Sequence, residues 1–433
     1  MIQEFSVKNF RSIKEKQTLS FVANKRYATG FEEHLCVTVA PGVELLKLAL
    51  LYGYNASGKS NMILALDFLR DLILEIDETT EKAIEFTPFL FDEEYKKSPG
   101  EFSMTFFHEG IKYQYSISVD SERIYDEELI FWPHGRPSLL FERHWDAGNK
   151  VSKIKVGSMI SLKVADKRIL EGNTLEHRSV IAAYRQSNIH NERLEEVKNY
   201  FMNNFMPIIN PKIGLWRWHS RKFFKNSKNR EMLTDFLKRA DLQISDLEIR
   251  EFPISVDEDF LNSLKASGFP EKEIKHLEDK QELEGNALYF IHETTQGSFD
   301  LPAEEESDGT LRYFGFTGIV MELLKSNHAI AIDELETSLH PDLVNYLIEI
   351  FLINSKGSQI FATTHAQYLM ENEYVRRDMV WFCEKGGDGG SEYYSAQDFG
   401  LHKNHNLGNF YRAGKLGGVP VLGSPLIEGE EDE

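Results

Sequence analysis

The residues best suited to chemistry in this 433-residue chain are Gly53-Tyr54-Asn55-Ala56-Ser57-Gly58-Lys59-Ser60. They follow the pattern of a glycine, four free positions, then Gly-Lys-Ser. That spacing cradles phosphate. Backbone N–H groups of the turn point inward, and the helix that follows adds positive potential at its N-terminus. Lys59 would reach the β- and γ-phosphates, and the Ser60 hydroxyl would meet a magnesium ion. Gly53, Asn55, Ala56, Ser57, Gly58, Lys59, Ser60 and Asn61 are therefore the expected nucleotide-binding residues.

A second group lies far along the chain. The apolar run His328-Ala329-Ile330-Ala331-Ile332 ends at Asp333-Glu334. An acid-tipped strand beside a phosphate loop would place Asp333 on magnesium together with Ser60. Hydrolysis also needs a group that positions or deprotonates the attacking water, and Glu334 is the choice, with Glu336 as a rival deeper in the following loop. A third strand, Gln359-Ile360-Phe361-Ala362, leads to His365. Open α/β sheets place ligands at the carboxyl ends of strands, so His365 would bond the γ-phosphate or the water. Lys59, Glu334 and His365 form the expected catalytic set. Ser307-Asp308-Gly309-Thr310 precedes the helical run Leu311 to Lys325. A hydroxyl and a glycine at a helix start read either as an ordinary cap or as a second anion site. One phosphate loop with a second phosphate sensor points to a second protomer.

The elements that must position these groups can be read from periodicity. Leu45 to Tyr52 reads as one buried strand, and Asn61 to Ile76 as a helix with Met62, Leu66, Leu69 and Ile73 on one face. Ile2 to Phe21 reads as two strands around a turn at Asn9 to Ser12, and Phe86 to Phe91 as a loop. From Glu101 to Trp132 the period is two, with a hairpin turn at His108-Glu109-Gly110. Val151 to Gly285 reads as mostly helical, with helices at Leu175–Gln186, Arg193–Phe205 and Glu271–Glu284. Pro341 opens a helix to Asn354. Val380–Phe382 pairs with Glu392–Tyr394 across Gly386 to Gly390. The expected class is α/β, a mixed sheet with an antiparallel β lobe and a mainly helical insertion. The expected division is residues 1–150 and 286–425 for the two parts of the head, 151–285 for the insertion, and a disordered acidic tail at 426–433.

Composition sets outer limits. Hydrophobic residues make up 41% and charged residues 27%, the proportions of an ordinary soluble protein. Two cysteines, Cys36 and Cys383, allow no disulfide framework and no cysteine-based zinc site, which fits a reducing cytoplasm. No signal peptide and no apolar run of membrane length is visible, so no membrane partner is expected. A net charge of −20 argues against nucleic acid over the whole surface. The stretch Lys212 to Arg239 is locally basic, with Arg217, Arg221, Lys222, Lys225, Lys228 and Arg230 among Trp216, Trp218, Phe223 and Phe224. Cations interleaved with aromatics suit nucleic acid; a solvated helix face or a dock for an acidic protein has the same composition.

The order of Asn9-Phe10-Arg11-Ser12, the phosphate loop, Ser307 to Thr310, Asp333-Glu334, Ser338-Leu339-His340-Pro341 and His365 resembles the ABC-type ATPases of the SMC, RecF and OLD branch. Within it the chain is similar to stand-alone ATPases of bacterial abortive-infection operons, as is the tail Asn409-Phe410-Tyr411-Arg412 with Gly414-Lys415-Leu416 to Pro420. The resemblance implies an ATPase head that binds ATP and Mg²⁺, with Arg11 also at the nucleotide. It implies a head-to-tail homodimer in which Lys59 and Ser60 face Ser307 and Gly309 of the other copy. It further implies that Ser338 to Pro341 links the two sites, and that an operon-encoded nuclease or toxin is the partner in phage defence. Three departures stand out. Asp308-Gly309 replaces a Gly-Gly pair, no clear metal-contacting Gln follows the first helix, and no acidic nuclease domain of the OLD type is expected after the last sheet elements. A RecF-like DNA-repair ATPase and a nucleotide-locked scaffold holding a toxin are the alternative readings.

Overall fold

Two kinds of strand pattern divide this chain, one continuously apolar and one alternating. The computed structural model describes residues 1–76, 83–160, 162–211, 214–217, 227–240, 242–256, 258, 261–262, 277, 282–402 and 405–425. The strands are β1 (Ile2–Lys8), β2 (Gln17–Ser20), β3 (Cys36–Ala40), β4 (Val43–Leu46), β5 (Leu48–Gly53), β6 (Gly100–His108), β7 (Ile111–Val119), β8 (Ile124–Trp132), β9 (Ser138–Asp146), β10 (Val151–Val156), β11 (Ile244–Ser255), β12 (Glu282–Thr294), β13 (Gly297–Pro302), β14 (Ala329–Ile332), β15 (Gln359–Thr363), β16 (Val380–Lys385) and β17 (Ser391–Ser395). They fall into two compact units, Met1–Ile213 with Glu322–Thr337 and Val344–Glu433, and Gly214–Met321 with Ser338–Leu343.

In the first unit the apolar strands make a five-stranded sheet in the order β14-β15-β5-β16-β17. The first four run parallel, and β17 is antiparallel to β16. Every residue of β5, β14 and β15 is buried, as expected of parallel strands covered on both faces. Helix Lys59–Leu74 buries Met62, Leu66, Leu69 and Ile73, the predicted face. Helix Pro341–Asn354 starts and ends where the proline and the periodicity place it. The outer side of β14 is bridged by Phe205 and Ile209, so its edge is not left bare.

The alternating strands form a seven-stranded antiparallel sheet, β10-β9-β8-β7-β6-β1-β2. Phe102, Met104 and Phe106 point inward from β6 while Glu101, Ser103 and Thr105 face out. Phe106 stacks on Tyr200 at 4.1 Å and on Tyr113 at 5.3 Å. Gln359 joins the two sheets. It is 1% exposed, accepts from Ile2 N at 2.5 Å and donates to Ile2 O and Leu46 O.

Several boundaries differ from expectation. The run Leu45 to Tyr52 is split at Lys47, whose buried ammonium donates to Leu352 O and Ser355 O at the C-terminus of helix Pro341–Asn354. A cation there suits the helix dipole. Helices outnumber strands among the described residues of 151–285, but the range is not one unit. Val151–Val156 is the edge strand of the lobe, and helices Val164–Asn173, Val180–Arg185 and Glu192–Asn199 belong to the first unit. The second unit instead carries a three-stranded antiparallel sheet, β11-β12-β13. The charged β11 alternates Leu247 and Ile249 with Glu248 and Arg250, a period-two signal that the charge density masks. Of the helix expected at Glu271–Glu284, Glu282 to Glu284 open β12 and most of the remainder lies outside the described residues, as does the acidic tail from 426. Helix Leu175–Gln186 starts only at Val180, because Ser179 Oγ caps Ala182 N at 3.0 Å.

Candidate active site

Strands β5, β14 and β15 are parallel neighbours, so the segments after them emerge at one edge. This brings the phosphate loop, Asp333-Glu334 and His365 together from positions about 300 residues apart. A cleft of about 460 Å³ opens there, lined by Ser12, Asn55, Ala56, Gly58, Lys59, Ser60, Asn61, Glu334, His365 and Lys385. That volume lies in the range of small-molecule sites.

The loop crosses from β5 into the helix with Ala56 at φ 65° and Gly58 at φ 116°. Lys59 Nζ donates to Gly53 O at 2.9 Å and Tyr54 O at 3.1 Å, spanning the turn. Burial pushes its pKa below the ordinary lysine value, against the pull of Cys383 and the carboxylates Asp333, Glu334 and Glu336. Gly53 has no room for a side chain, since a Cβ would lie 2.5 Å from Cys383 O.

Ser60 Oγ donates to Asp333 Oδ1 at 3.0 Å, and Thr363 Oγ1 donates to the same oxygen at 2.5 Å. A hydroxyl and a carboxylate side by side are hard oxygen donors, the set that suits magnesium completed by phosphate and water. Glu334 sits at φ 51°, a conformation that costs a non-glycine residue and clusters at functional sites. Its N–H donates to Thr363 Oγ1 at 2.8 Å, and its carboxylate accepts from Thr337 Oγ1 at 3.2 Å. Glu336, the rival carboxylate, is otherwise engaged. It accepts from His365 N and from Thr364 Oγ1, both at 2.6 Å, which fixes the backbone under the imidazole. The His365 ring faces the cleft, and its pKa is lowered first by burial and then by the charge of Lys59.

Among the expected binding residues, Gly53 and Ser57 do not line the cleft: Ser57 is fully buried. Arg11 is not brought to the nucleotide site. It lines a separate cleft with Asp67, Phe68 and Arg70, its guanidinium 5.6 Å over the Phe10 ring. Ser307 and Gly309 belong to the second unit, where Ser307 Oγ accepts from Thr310 N at 3.0 Å and so caps helix Asp308–Lys325. Gly309 packs against Ser338, whose carbonyl would be 3.0 Å from an added Cβ. Lys385 was not foreseen. It ends β16, a parallel neighbour of β5, so the strand-end rule that found His365 would have found it too. Of the basic stretch, Lys212, Trp218, Arg221, Lys222, Phe223, Phe224 and Lys225 lie outside the described residues. Within helix Ser227–Arg239, Arg230 pairs with Asp246 at 2.6 Å and Arg239 with Asp235 at 2.8 Å, and Leu233, Phe236 and Leu237 are buried. No described helix is long and apolar enough to cross a membrane.

A family profile described as "AAA domain, putative AbiEii toxin, Type IV TA system" matches residues 48–371. A search of curated proteins gave no match. Among solved structures, the SMC head domain from Thermotoga maritima is 13% identical with a TM-score of 0.41, covering 91% of this chain and 98% of that one. The Smc head domain with an extended coiled coil, bound to the C-terminal domain of ScpA from Pyrococcus furiosus, is 12% identical with a TM-score of 0.35, covering 92% and 97%.

Proposed function

The chain belongs to the AAA-domain family of AbiEii-type, type IV toxin–antitoxin proteins, and on that premise we propose that it is a Mg²⁺-dependent ATPase that closes around ATP as a homodimer and regulates a nuclease or toxin partner in phage defence. The observation that carries this reading is the convergence of Lys59, Ser60, Glu334 and His365 on one cleft, with Asp333 bonded to Ser60 behind them. The loop amides and Lys59 hold the triphosphate. A magnesium ion on Ser60 and Asp333 would neutralise charge on the β- and γ-phosphate oxygens. Glu334 orients the attacking water and accepts its proton. His365 donates toward the γ-phosphate from a backbone that Glu336 fixes. Phosphoryl transfer asks for this kind of positioning and charge stabilisation more than for covalent chemistry.

The dimer reading rests on the motif order; Ser307 Oγ makes an ordinary helix cap on Thr310 N, and in this reading the same helix start meets the γ-phosphate held by the other copy. The test is Glu334→Gln in ATP and Mg²⁺, followed by light scattering and phosphate release. A stable nucleotide-bound dimer with turnover reduced about a hundredfold or more is expected. Wild-type turnover in that variant would remove Glu334 from the chemistry, and a monomer with ATP bound would remove the dimer.

A further inference from the structure

The back of the phosphate loop rests on strand β17, and that contact determines what its front can do. In a trans peptide the carbonyl and the next N–H point to opposite sides. Ser57 O accepts from Ser391 Oγ at 2.6 Å and from Cys383 Sγ at 3.3 Å. Gly58 O accepts from Tyr393 Oη at 2.7 Å. The hairpin holds Ser57 O and shares Gly58 O with Asn61 N, which donates to it at 2.9 Å from the first turn of the helix, so the N–H groups of Gly58 and Lys59 are turned to the side of the cleft that Gly58 and Lys59 line. Ser391 and Tyr393 are two positions apart on one strand, so they share a face.

The hydroxyl of Ser391 has its own orientation fixed. It carries a single proton, which goes to Ser57 O. The Ser12 hydroxyl, 2.7 Å away, must then donate to Ser391 Oγ, while Asn61 Nδ2 donates to Ser12 Oγ at 2.6 Å and Ser391 N to Ser12 O at 2.7 Å. The chain of donors closes on the first turn of the helix. Gly58 makes this approach possible, because a Cβ there would lie 2.1 Å from Ser391 Oγ. Burial keeps the Tyr393 hydroxyl protonated and able to donate.

We propose that Ser391 and Tyr393 are positioning residues that preset the Gly58 and Lys59 amides to receive a phosphate group. The inference rests on the nucleotide reading and deepens it: affinity for phosphate is built partly from a strand more than 330 residues downstream of the loop. Preset dipoles need no reorganisation when the anion arrives. They act on bound nucleotide before and during reaction alike, so their loss should appear in binding and KM and not in kcat.

The test uses the full chain with Ser391→Ala and, separately, Tyr393→Phe. Equilibrium affinity for ADP with Mg²⁺, KM and kcat for ATP, and hydrogen exchange of the loop amides without nucleotide are measured. Each variant should weaken ADP binding and raise KM about tenfold, the worth of one oriented hydrogen bond. The expected kcat stays within about twofold, and amides of residues 54–61 should exchange faster. Tyr393→Phe removes one oxygen from a buried ring and keeps the test open should Ser391→Ala unfold. Wild-type affinity and wild-type exchange in the folded variants would overturn the proposal. If the unaltered chain binds no nucleotide, the ATPase reading fails by itself. Exchange then decides the clamp, with unchanged loop amides refuting it.

Discussion

The antiparallel lobe and the cleft each hold charged side chains, and they use them in opposite ways. In the lobe Arg143 and Glu127 are 0% and 1% exposed and lie 3.7 Å apart. Glu127 accepts from Tyr115 Oη at 2.6 Å and from Val180 N at 2.9 Å. Arg143 donates to Ser152 Oγ, Leu175 O and Glu176 O. Burial raises the carboxyl and lowers the guanidinium, so desolvation outweighs their mutual attraction. The pair ties β8 and β9 to the start of helix Val180–Arg185. In the cleft Asp333, Glu334 and His365 stay at least partly open to water after their strands, while Lys59 is 7% exposed at the start of its helix, and two non-glycine residues, Ala56 and Glu334, hold left-handed backbone. Charge turned inward among many partners builds structure, whereas charge converging on open space from strained turns is placed for chemistry.

That contrast can be broken by substitution. Lys59→Ala should abolish nucleotide binding, roughly a thousandfold or about 4 kcal/mol, with little change in the urea midpoint. Its ammonium already pays a desolvation penalty, and its bonds are to carbonyls within its own loop. If Lys59→Ala unfolds the chain, the cleft is structural in the same sense as the lobe. Arg143→Ala should do the reverse. It leaves Glu127 buried without its cation and should cost about 3 kcal/mol of stability, while the fraction that remains folded binds nucleotide with unchanged affinity. Replacing both partners, Glu127→Gln with Arg143→Met, should recover much of the loss. A double variant as unstable as Arg143→Ala alone would show that the pair does more than satisfy itself.

Much of the cleft was legible because its parts sit at the ends of strongly patterned elements. Gly53 to Ser60 follows a buried strand, and Asp333-Glu334 and His365 each end an apolar run, so parallel pairing alone unites them. The residues that brace it were not legible. Ser391 and Tyr393 reach the loop across more than 330 residues, and Ser-x-Tyr on a strand has no spacing that points to a backbone carbonyl elsewhere. Lys47 looked like part of a strand because its partner, the end of helix Pro341–Asn354, is equally remote. Strands β11 and β12 were missed for a local reason. Glu248, Arg250 and Glu284 lie on these strands, and their charge obscures the period of two that Leu247, Leu288 and Phe290 keep on the inward side. Arg11 illustrates the opposite error, a role carried by motif order to a side chain that the turn, at φ 51°, directs elsewhere.

The smallest expected effect is a pH dependence that separates the two regions without disturbing either. His365 has a folded pKa below the ordinary 6.5, first through burial and then through Lys59, with Glu336, Glu334 and Asp333 pulling the other way. Between 6.5 and the lowered value the unfolded chain binds more protons than the folded one. Stability from this group is therefore fully present above 6.5, falls as pH drops through that window, and levels off below the folded value. Glu127, with a raised pKa, works in the opposite direction, so the measurement must be a difference. Urea midpoints of the wild type and His365→Gln, followed from pH 7.5 to 5, should diverge, with the variant losing less. The gap should be small, because the ring is exposed on its cleft side and water screens it. Lys59→Ala should narrow the gap further by removing the cation that discourages protonation. Parallel curves for wild type and His365→Gln would mean that folding does not shift the imidazole, and a gap left unchanged by Lys59→Ala would mean that the ring does not feel Lys59 and that the cleft lacks the electrostatic coupling which distinguishes it from the lobe.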